Sequence, residues 1–411
     1  MLRNYFKIAL AVLKRRKFFT FISLFGISIT LAILMVTTSF VDHLTGARYP
    51  EFKRGRSLYV HMFRSSSSTM GYINSSEPTF NFLNNYVSKL KSPEMVAICS
   101  NTTKSNAYVN NKKLSLDIMY TNRAFWDVME FKFLEGKPYT AQQIANGEFV
   151  AVISEDTRDA YFGEGVKAVG KYIESDNIQY HVIGVVKSVP ITRMFSSSDI
   201  YAPYTMPKSG ADSKGYMGNY MAVLLAREKS DLPKIKEEYQ EMMKKLPLEN
   251  PKEMDRQESY ADSYVGSFVR RSGGPGSKLG TVYFVIGAIT FIFMLLPTIN
   301  LVNINITRIM ERSSEIGVRK AFGASSGTLV IQFIVENLIL TVLGGLLGLL
   351  LAAIVLGIIN NSGWIPNADL SLNPMVLTIS LLLCLLFGLL SGVYPAWRMS
   401  RLQIVSALKT A

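Results

Sequence analysis

Residues 310–326 read MERSSEIGVRKAFGASS, and this charged stretch lies between two long apolar runs. A short charged element held between two membrane spans has no soluble core to join, so it is predicted to lie at the membrane face. Glu315 and Arg319 stand four apart and suit an ion pair on a helix surface. Ile309, Ile316, Val318, Ala321 and Phe322 supply an apolar side, and Gly317 and Gly323 break the stretch into short helical pieces. The residues alone leave two readings open. One is an interfacial loop anchored by basic residues; the other is a docking helix for a cytoplasmic partner.

Outward from this stretch, four apolar runs reach the roughly 20 residues needed to cross a bilayer. They are residues 18–41, 279–304, 329–359 and 375–393, and none has a Lys, Arg or Asp in its interior. The third is long enough to tilt or to project beyond the hydrocarbon. The predicted fold class is a membrane protein with four transmembrane α-helices in a 1+3 arrangement. A large α+β extracytoplasmic domain, residues 42–278, falls between the first and second spans.

Flanking cations set the orientation. Arg3, Lys7, Lys14, Arg15, Arg16 and Lys17 precede the first span, Arg308, Arg312, Arg319 and Lys320 follow the second, and Arg398, Arg401 and Lys409 follow the fourth. The loop 360–374 holds Asp369 and no cation. Both termini (1–17 and 394–411) and segment 305–328 are therefore predicted to be cytoplasmic, with 42–278 and 360–374 outside. The net charge of +13 belongs mainly to those cytoplasmic patches, because residues 42–278 hold 31 cations against 27 acids. The excess is an orientation signal, and nucleic acid is not an expected partner. The first apolar run is too long for a cleaved signal peptide, and no small-residue cleavage site follows it in TTSFVDHLTGARYP. Cys99 and Cys384 fall in different compartments, so a disulfide between them is not expected.

The insert reads as α+β, in two lobes. Residues 57–63 and 95–100 alternate or run apolar as strands, with a flexible Ser/Thr loop at 65–69 between them. Residues 79–90 read as a helix, and 106–120 as a hairpin turning at Asn110 and Asn111. Residues 125–129 form a short helix, a helical turn ends at Gly147, and strand 149–154 leads into helix 155–162, stopped by Gly163. Strands follow at 171–173 and 180–186, paired through the turn 175–177, and at 200–202 and 221–226. Helix 232–246 is expected to have Asp231 as its cap and Pro233 in its first turn. SGGPGS, residues 272–277, is a linker; Ser277 separates Gly276 from Lys278, which breaks the phosphate-loop spacing.

Little in the chain suggests catalysis. His43, His61 and His181 have no partner at metal-ligand spacing and are read as structural; no H-E-x-x-H or C-x-x-C occurs. No cofactor or metal is expected. In the spans, Glu336 near the cytoplasmic end of the third suits a structural or coupling role over a proton relay. Gly344, Gly348 and Ala352 make one small-residue face, and Gly388, Gly392 and Ala396 another; such faces let helices approach closely, within a subunit or between subunits. Pro297 is expected to kink the second span, six residues before Asn303.

NLVNINITRIMERSSEIGVRKAFGAS, residues 300–325, resembles the signature of the MacB/FtsX-like ABC-transporter permeases. The matching residues are Asn303, Glu311, Arg312, Glu315, Ile316, Gly317, Arg319, Lys320, Ala321, Gly323 and Ala324, with Gln332, Phe333 and Glu336 beyond. Tyr394, Pro395, Ala396, Arg401, Ala407 and Leu408 fit the family's C-terminal end, and the N-terminal run and FLEGKPYT…VAVISEDTRDAYFG resemble its MacB-like ectodomain. The resemblance spans nearly the whole chain. It implies a non-catalytic permease subunit in the bacterial inner membrane, with a periplasmic domain and a coupling helix docked on an ABC ATPase. With no Walker A loop in the sequence, that ATPase is expected on a separate chain. The resemblance further implies a homodimer, or a heterodimer with a homologous permease, set in membrane lipid. A periplasmic adaptor and an outer-membrane channel are further implied partners. Mechanotransmission for export or extraction of a substrate is the implied activity. Regulation of a periplasmic cell-wall hydrolase is the alternative.

Overall fold

The computed structural model describes residues 11, 13–15, 17–69, 71–109, 112–273, 280–289, 291–292, 318, 322, 326–372, 378–379, 382 and 386. The chain divides into two compact units. One is Leu44–Val282 with Ile365–Asn367; the other is Met1–His43 with Tyr283–Trp364 and Ala368–Ala411.

The first unit is built on a ten-stranded sheet. Its strands are β1 (Ser57–Val60), β4 (Met95–Ser100), β5 (Thr103–Val109), β6 (Lys112–Thr121), β7 (Phe133–Gly136), β8 (Val150–Ser154), β9 (Tyr172–Ser175), β10 (Ile178–Val186), β11 (Ile200–Pro203) and β13 (Tyr220–Leu225). The order is β1-β13-β4-β6-β11-β8-β10-β7, with β5 on β6 and β9 on β10. A four-stranded sheet joins β12 (Met217–Gly218), β3 (Tyr72–Pro78), β2 (Phe63–Ser67) and β14 (Arg256–Ser259) in that order.

Side chains that alternate along a strand serve opposite faces, and both faces of the large sheet are covered. Leu58, Val60, Ile98, Ala222 and Leu224 belong to one apolar cluster, whereas Tyr59, Ala97, Cys99, Val223 and Leu225 belong to the other. The first cluster is closed by α2 (Phe80–Asn85), through Phe80, Phe82 and Leu83, and by α6 (Leu232–Lys245), through Ile235, Tyr239 and Met243. The second takes Phe125, Trp126 and Val128 from α3 (Phe125–Val128), Ile144 from α4 (Ala141–Ala145) and Tyr264 from α7 (Tyr264–Gly273). This double cover explains why β13 reads as a continuous apolar run, with all six residues buried. Helix α5 (Glu155–Phe162) starts on Ser154, whose side chain accepts the Thr157 N–H, and stops at Gly163 with φ +104°.

Three expectations need correction. Residues 65–67, expected in a flexible loop, complete β2 and pair with β3 and β14 on its two sides. Their serines carry no apolar signal, yet a strand paired on both sides satisfies its backbone whatever its side chains. Asp231 does not cap α6 with its side chain; its carboxylate turns back to accept the Glu228 N–H at 3.3 Å. Pro233 remains in the first turn, where no intrahelical donor is lost. The single helix expected at 79–90 is split in two, since α2 ends at Asn85 and Val87–Lys89 is a 3₁₀ turn. Asn110 and Asn111 lie outside the described residues, but β5 and β6 flank them in register at Val109 and Lys112.

In the other unit, α1 (Lys17–Thr45) and α8 (Ser326–Asn361) are long and apolar enough to cross a membrane. At 1.5 Å per residue they run roughly 44 and 54 Å. Gly280–Ile289 is a shorter apolar helix. Most of the spans expected at 279–304 and 375–393 lies outside the described residues.

Candidate coupling site

Three places bear on how this chain could pass movement. The first is the charged segment. Glu311, Arg312, Glu315, Ile316, Gly317, Arg319, Lys320, Ala321 and Gly323 lie outside the described residues, as do Pro297, Asn303, Gly388 and Gly392. Val318 and Phe322 are described, and the Phe322 N–H donates to the Val318 carbonyl at 3.1 Å, one helical turn. Both side chains are exposed, Phe322 at 89%. The segment thus displays an apolar pair one turn apart.

The second place is the contact of α1 with α8. Ile27, Leu31, Ala32 and Met35 of α1 form one buried cluster with Ile339, Leu340 and Ala352 of α8. Gly344 and Gly348 are both buried in α8. A Cβ at Gly344 would stand 2.6 Å from Ile27 Cγ2, and one at Gly348 would stand 2.8 Å from the Ser28 carbonyl. Only glycine admits this approach, and close approach is the chief source of helix attraction in hydrocarbon. Nearer the start of α8, Glu336 is buried and accepts a hydrogen bond from Gln332 Nε2 at 3.1 Å.

The third place is the base of the outer domain, where the chain leaves α1 and where α7 heads towards the second apolar run. Glu51 Oε2 accepts from Arg54 Nε at 3.0 Å and Nη2 at 2.6 Å, and Glu51 Oε1 accepts from the Ser196 hydroxyl at 2.6 Å. Arg54 Nη1 donates to the Leu44 carbonyl at 2.9 Å, and its guanidinium lies 3.5 Å over the Tyr264 ring. Arg193 Nη1 donates to the Gly46 carbonyl at 2.9 Å. Tyr59, Phe195, Tyr264 and Phe268 pack ring to ring around the group. Glu51 is 2% exposed and Arg193 1%. Burial alone would push the Arg54 guanidinium down; Glu51, with Tyr264 and Tyr59, outweighs it, and the net shift is upward. Arg193 is shifted down, first by burial and then by the like charge of Arg54. The sequence reading missed this cluster. Its one local signal is Glu51 and Arg54, a carboxylate and a guanidinium three apart just past an apolar run.

Among the histidines, His43 and His61 are buried and His181 packs against Tyr172 with the ring centroids 5.2 Å apart. Burial raises the Cys99 thiol far above its ordinary value, which leaves it inert. Residues 165–171, GVKAVGK, fit seven positions of a phosphate loop. Tyr172 then stands where Ser or Thr is needed and opens strand β9, not a helix, and the Lys171 ammonium sits 5.4 Å over Phe162.

An α+β domain inserted after a long apolar helix, with a further long apolar helix beyond it, is the layout of a membrane protein with a large water-exposed domain. Two family profiles cover it: "MacB-like periplasmic core domain" at residues 20–242 and "FtsX-like permease C-terminal" at residues 287–404. The chain belongs to the family of ABC-transporter permeases that these two domains define, membrane proteins with a periplasmic-type domain. It is 25% identical over 335 residues to the ABC transporter permease YknZ of Bacillus subtilis, covering 80% of this chain and 79% of that one. It is 24% identical over 301 residues to the macrolide export ATP-binding/permease protein MacB of Mannheimia succiniciproducens, covering 73% of this chain. The match spans 44% of that MacB's length. The solved extracellular domain of YknZ aligns with 49% of this chain at 16% identity and a TM-score of 0.37.

Proposed function

We propose that this chain is the non-catalytic permease subunit of a bacterial ABC transporter of the MacB/FtsX mechanotransmission type. It would cross the inner membrane four times, with both termini and segment 305–328 cytoplasmic. A separate ABC ATPase docks on Glu311–Gly323 and pushes. The push travels through the spans to the outer domain, which moves to export or extract a substrate. Two copies, or this chain and a homologous permease, make the working unit. A periplasmic adaptor and an outer-membrane channel extend it.

The observation that carries this reading is the pairing of the two family matches in one chain, with the charged segment inside the second. The exposed Val318–Phe322 turn supports it, because a docking surface needs apolar contact at its centre as well as charge at its rim. The test is co-purification with the partner ATPase, with ATP hydrolysis measured in the complex. Glu315→Lys combined with Gly317→Asp is expected to abolish association and the stimulated hydrolysis. If both survive, the docking assignment is wrong.

A further inference from the structure

The cluster at the base of the outer domain joins four chain segments that sequence keeps far apart. Arg54 and Arg193 hold the carbonyls of Leu44 and Gly46, where the chain leaves α1. Tyr264, the first residue of α7, lies under the Arg54 guanidinium. Ser196 brings in the loop that carries Arg193. The bridge between Tyr59 and Asp262, with bonds of 2.7 and 3.0 Å, fastens the entry of α7 to β1. The outgoing and returning connections of the domain therefore meet at one polar knot.

A buried ion pair is no better for stability than apolar packing of the same volume, because desolvation offsets attraction. Direction is what it adds. Apolar side chains slide past one another at little cost, whereas a guanidinium bonded to one carbonyl fixes both distance and angle. The members of the knot are unequally satisfied. Arg54 has its carboxylate, its carbonyl and its aromatic face. Arg193 shares the same buried region without a carboxylate of its own: its side chain makes one hydrogen bond, to Gly46, and its buried Nε has no partner among the described residues. The loop under it is firm, since Arg193 donates its N–H to the Pro190 carbonyl and accepts from the Ser196 and Ser197 N–H groups. A firm base with a single outward bond has the form of a catch.

We propose that Glu51, Arg54 and Arg193 form the joint tying the exit of α1 to the start of α7, and that Arg193 is a positioning residue that acts as its releasable catch. When movement arrives through α1, the Arg193–Gly46 bond opens first and the Arg54–Leu44 bond holds. The proposal rests on the permease reading for the source of the movement, but not for the existence of the catch.

Hydrogen exchange of the full chain in detergent micelles tests it. In Arg193→Met, peptides over residues 44–50 are expected to exchange roughly tenfold faster, the loss of one buried hydrogen bond to a charged donor, with 264–270 unchanged. Arg193→Lys, which keeps a charged donor, should restore most of the protection. Glu51→Gln should loosen both peptides. Native exchange at 44–50 in Arg193→Met overturns the catch, and so does equal loosening of 44–50 and 264–270. Should Arg193→Met fail to fold, the native chain with its ATPase answers the same question on addition of a non-hydrolysable ATP analogue. Loss of protection at 44–50 with 264–270 kept supports the catch; equal loss at both, or none at 44–50, overturns it. Failure of the ATPase to bind would instead sink the permease reading, and exchange at 44–50 in Arg193→Lys and Glu51→Gln would then decide the catch.

Discussion

The base of the outer domain and the α1–α8 contact fasten the same helix by opposite chemistry. At the base, Arg54 and Arg193 reach across to the Leu44 and Gly46 carbonyls. In the middle of α1, Ile27, Ser28 and Leu31 are met by the bare backbone of Gly344 and Gly348. At the C-terminal end of α1 the grip is made by charge, and in mid-helix by the absence of a side chain. The difference follows from the solvent. Helices in hydrocarbon gain nothing from hiding apolar surface, so close approach must supply the attraction. At the domain base the chain must leave a helix and turn into a sheet at a set angle, which takes directional bonds. A charge-based grip is therefore all-or-none, and a glycine-based one is graded with the volume inserted.

The sharpest way to break the comparison is Glu51→Leu. It leaves the Arg54 guanidinium buried without its carboxylate, beside the like charge of Arg193, and removing one partner of such a pair costs about 3–5 kcal/mol. Thermal unfolding of the full chain, followed by near-ultraviolet circular dichroism, is expected to shift down by roughly 10 °C. Replacing Glu51, Arg54 and Arg193 together by Leu, Met and Met should recover most of that stability and none of the coupling. A single variant as stable as the native chain would mean the knot holds nothing.

Gly348→Leu comes next. Its Cβ alone would stand 2.9 Å from Leu31 Cβ and 2.8 Å from the Ser28 carbonyl, so the helices must part. Overpacking of this kind costs about 1–3 kcal/mol, and Gly348→Ala should cost less. The graded series, read by thermal unfolding beside light scattering for oligomer size, separates two arrangements. A change in oligomer size with unchanged stability would place the glycine face between protomers and undo the contrast.

How much of this was legible in the sequence follows the same division. Strand 149–154 and helix 155–162 with its Gly163 stop were readable, because a short apolar run and a terminal glycine are local signals. The small-residue face of Gly344, Gly348 and Ala352 was readable because its spacing is the helix repeat itself. Strand β2 was missed because FRSSS has no apolar alternation and owes its shape to neighbours from residues 72–78 and 256–259. Asp231 stands at the N-cap position as read, but two acceptor tasks competed for its carboxylate and the Glu228 N–H won. The knot was invisible for a plainer reason. Its members come from 44–46, 51–54, 193–196 and 264, and no periodicity links them.

The smallest effect comes from a carboxylate that also bonds backbone but stands near the surface. Asp176, half-buried in the turn between β9 and β10, accepts the Asn106 N–H at 3.0 Å and returns its own N–H to the Asn106 carbonyl at 2.9 Å. Those bonds, the Asn106 N–H first, hold its pKa below the ordinary carboxylate value. A carboxylate whose folded pKa is lowered stabilises the fold above its unfolded pKa, near 4, and loses that contribution as pH falls through the folded value. Asp176→Asn keeps the shape, the acceptor and a residue type tolerant of the φ of +49° found there. It should therefore cost less than about 1 kcal/mol at pH 7, in keeping with solvent-screened charges, and the gap should close below about pH 4. Glu51, buried with Arg54 as its partner, is expected to keep a several-fold larger effect at pH 7. Matched melting curves at pH 7 and pH 3 decide the point: if Asp176→Asn costs as much as Glu51→Leu, depth does not set the value of a charge in this domain.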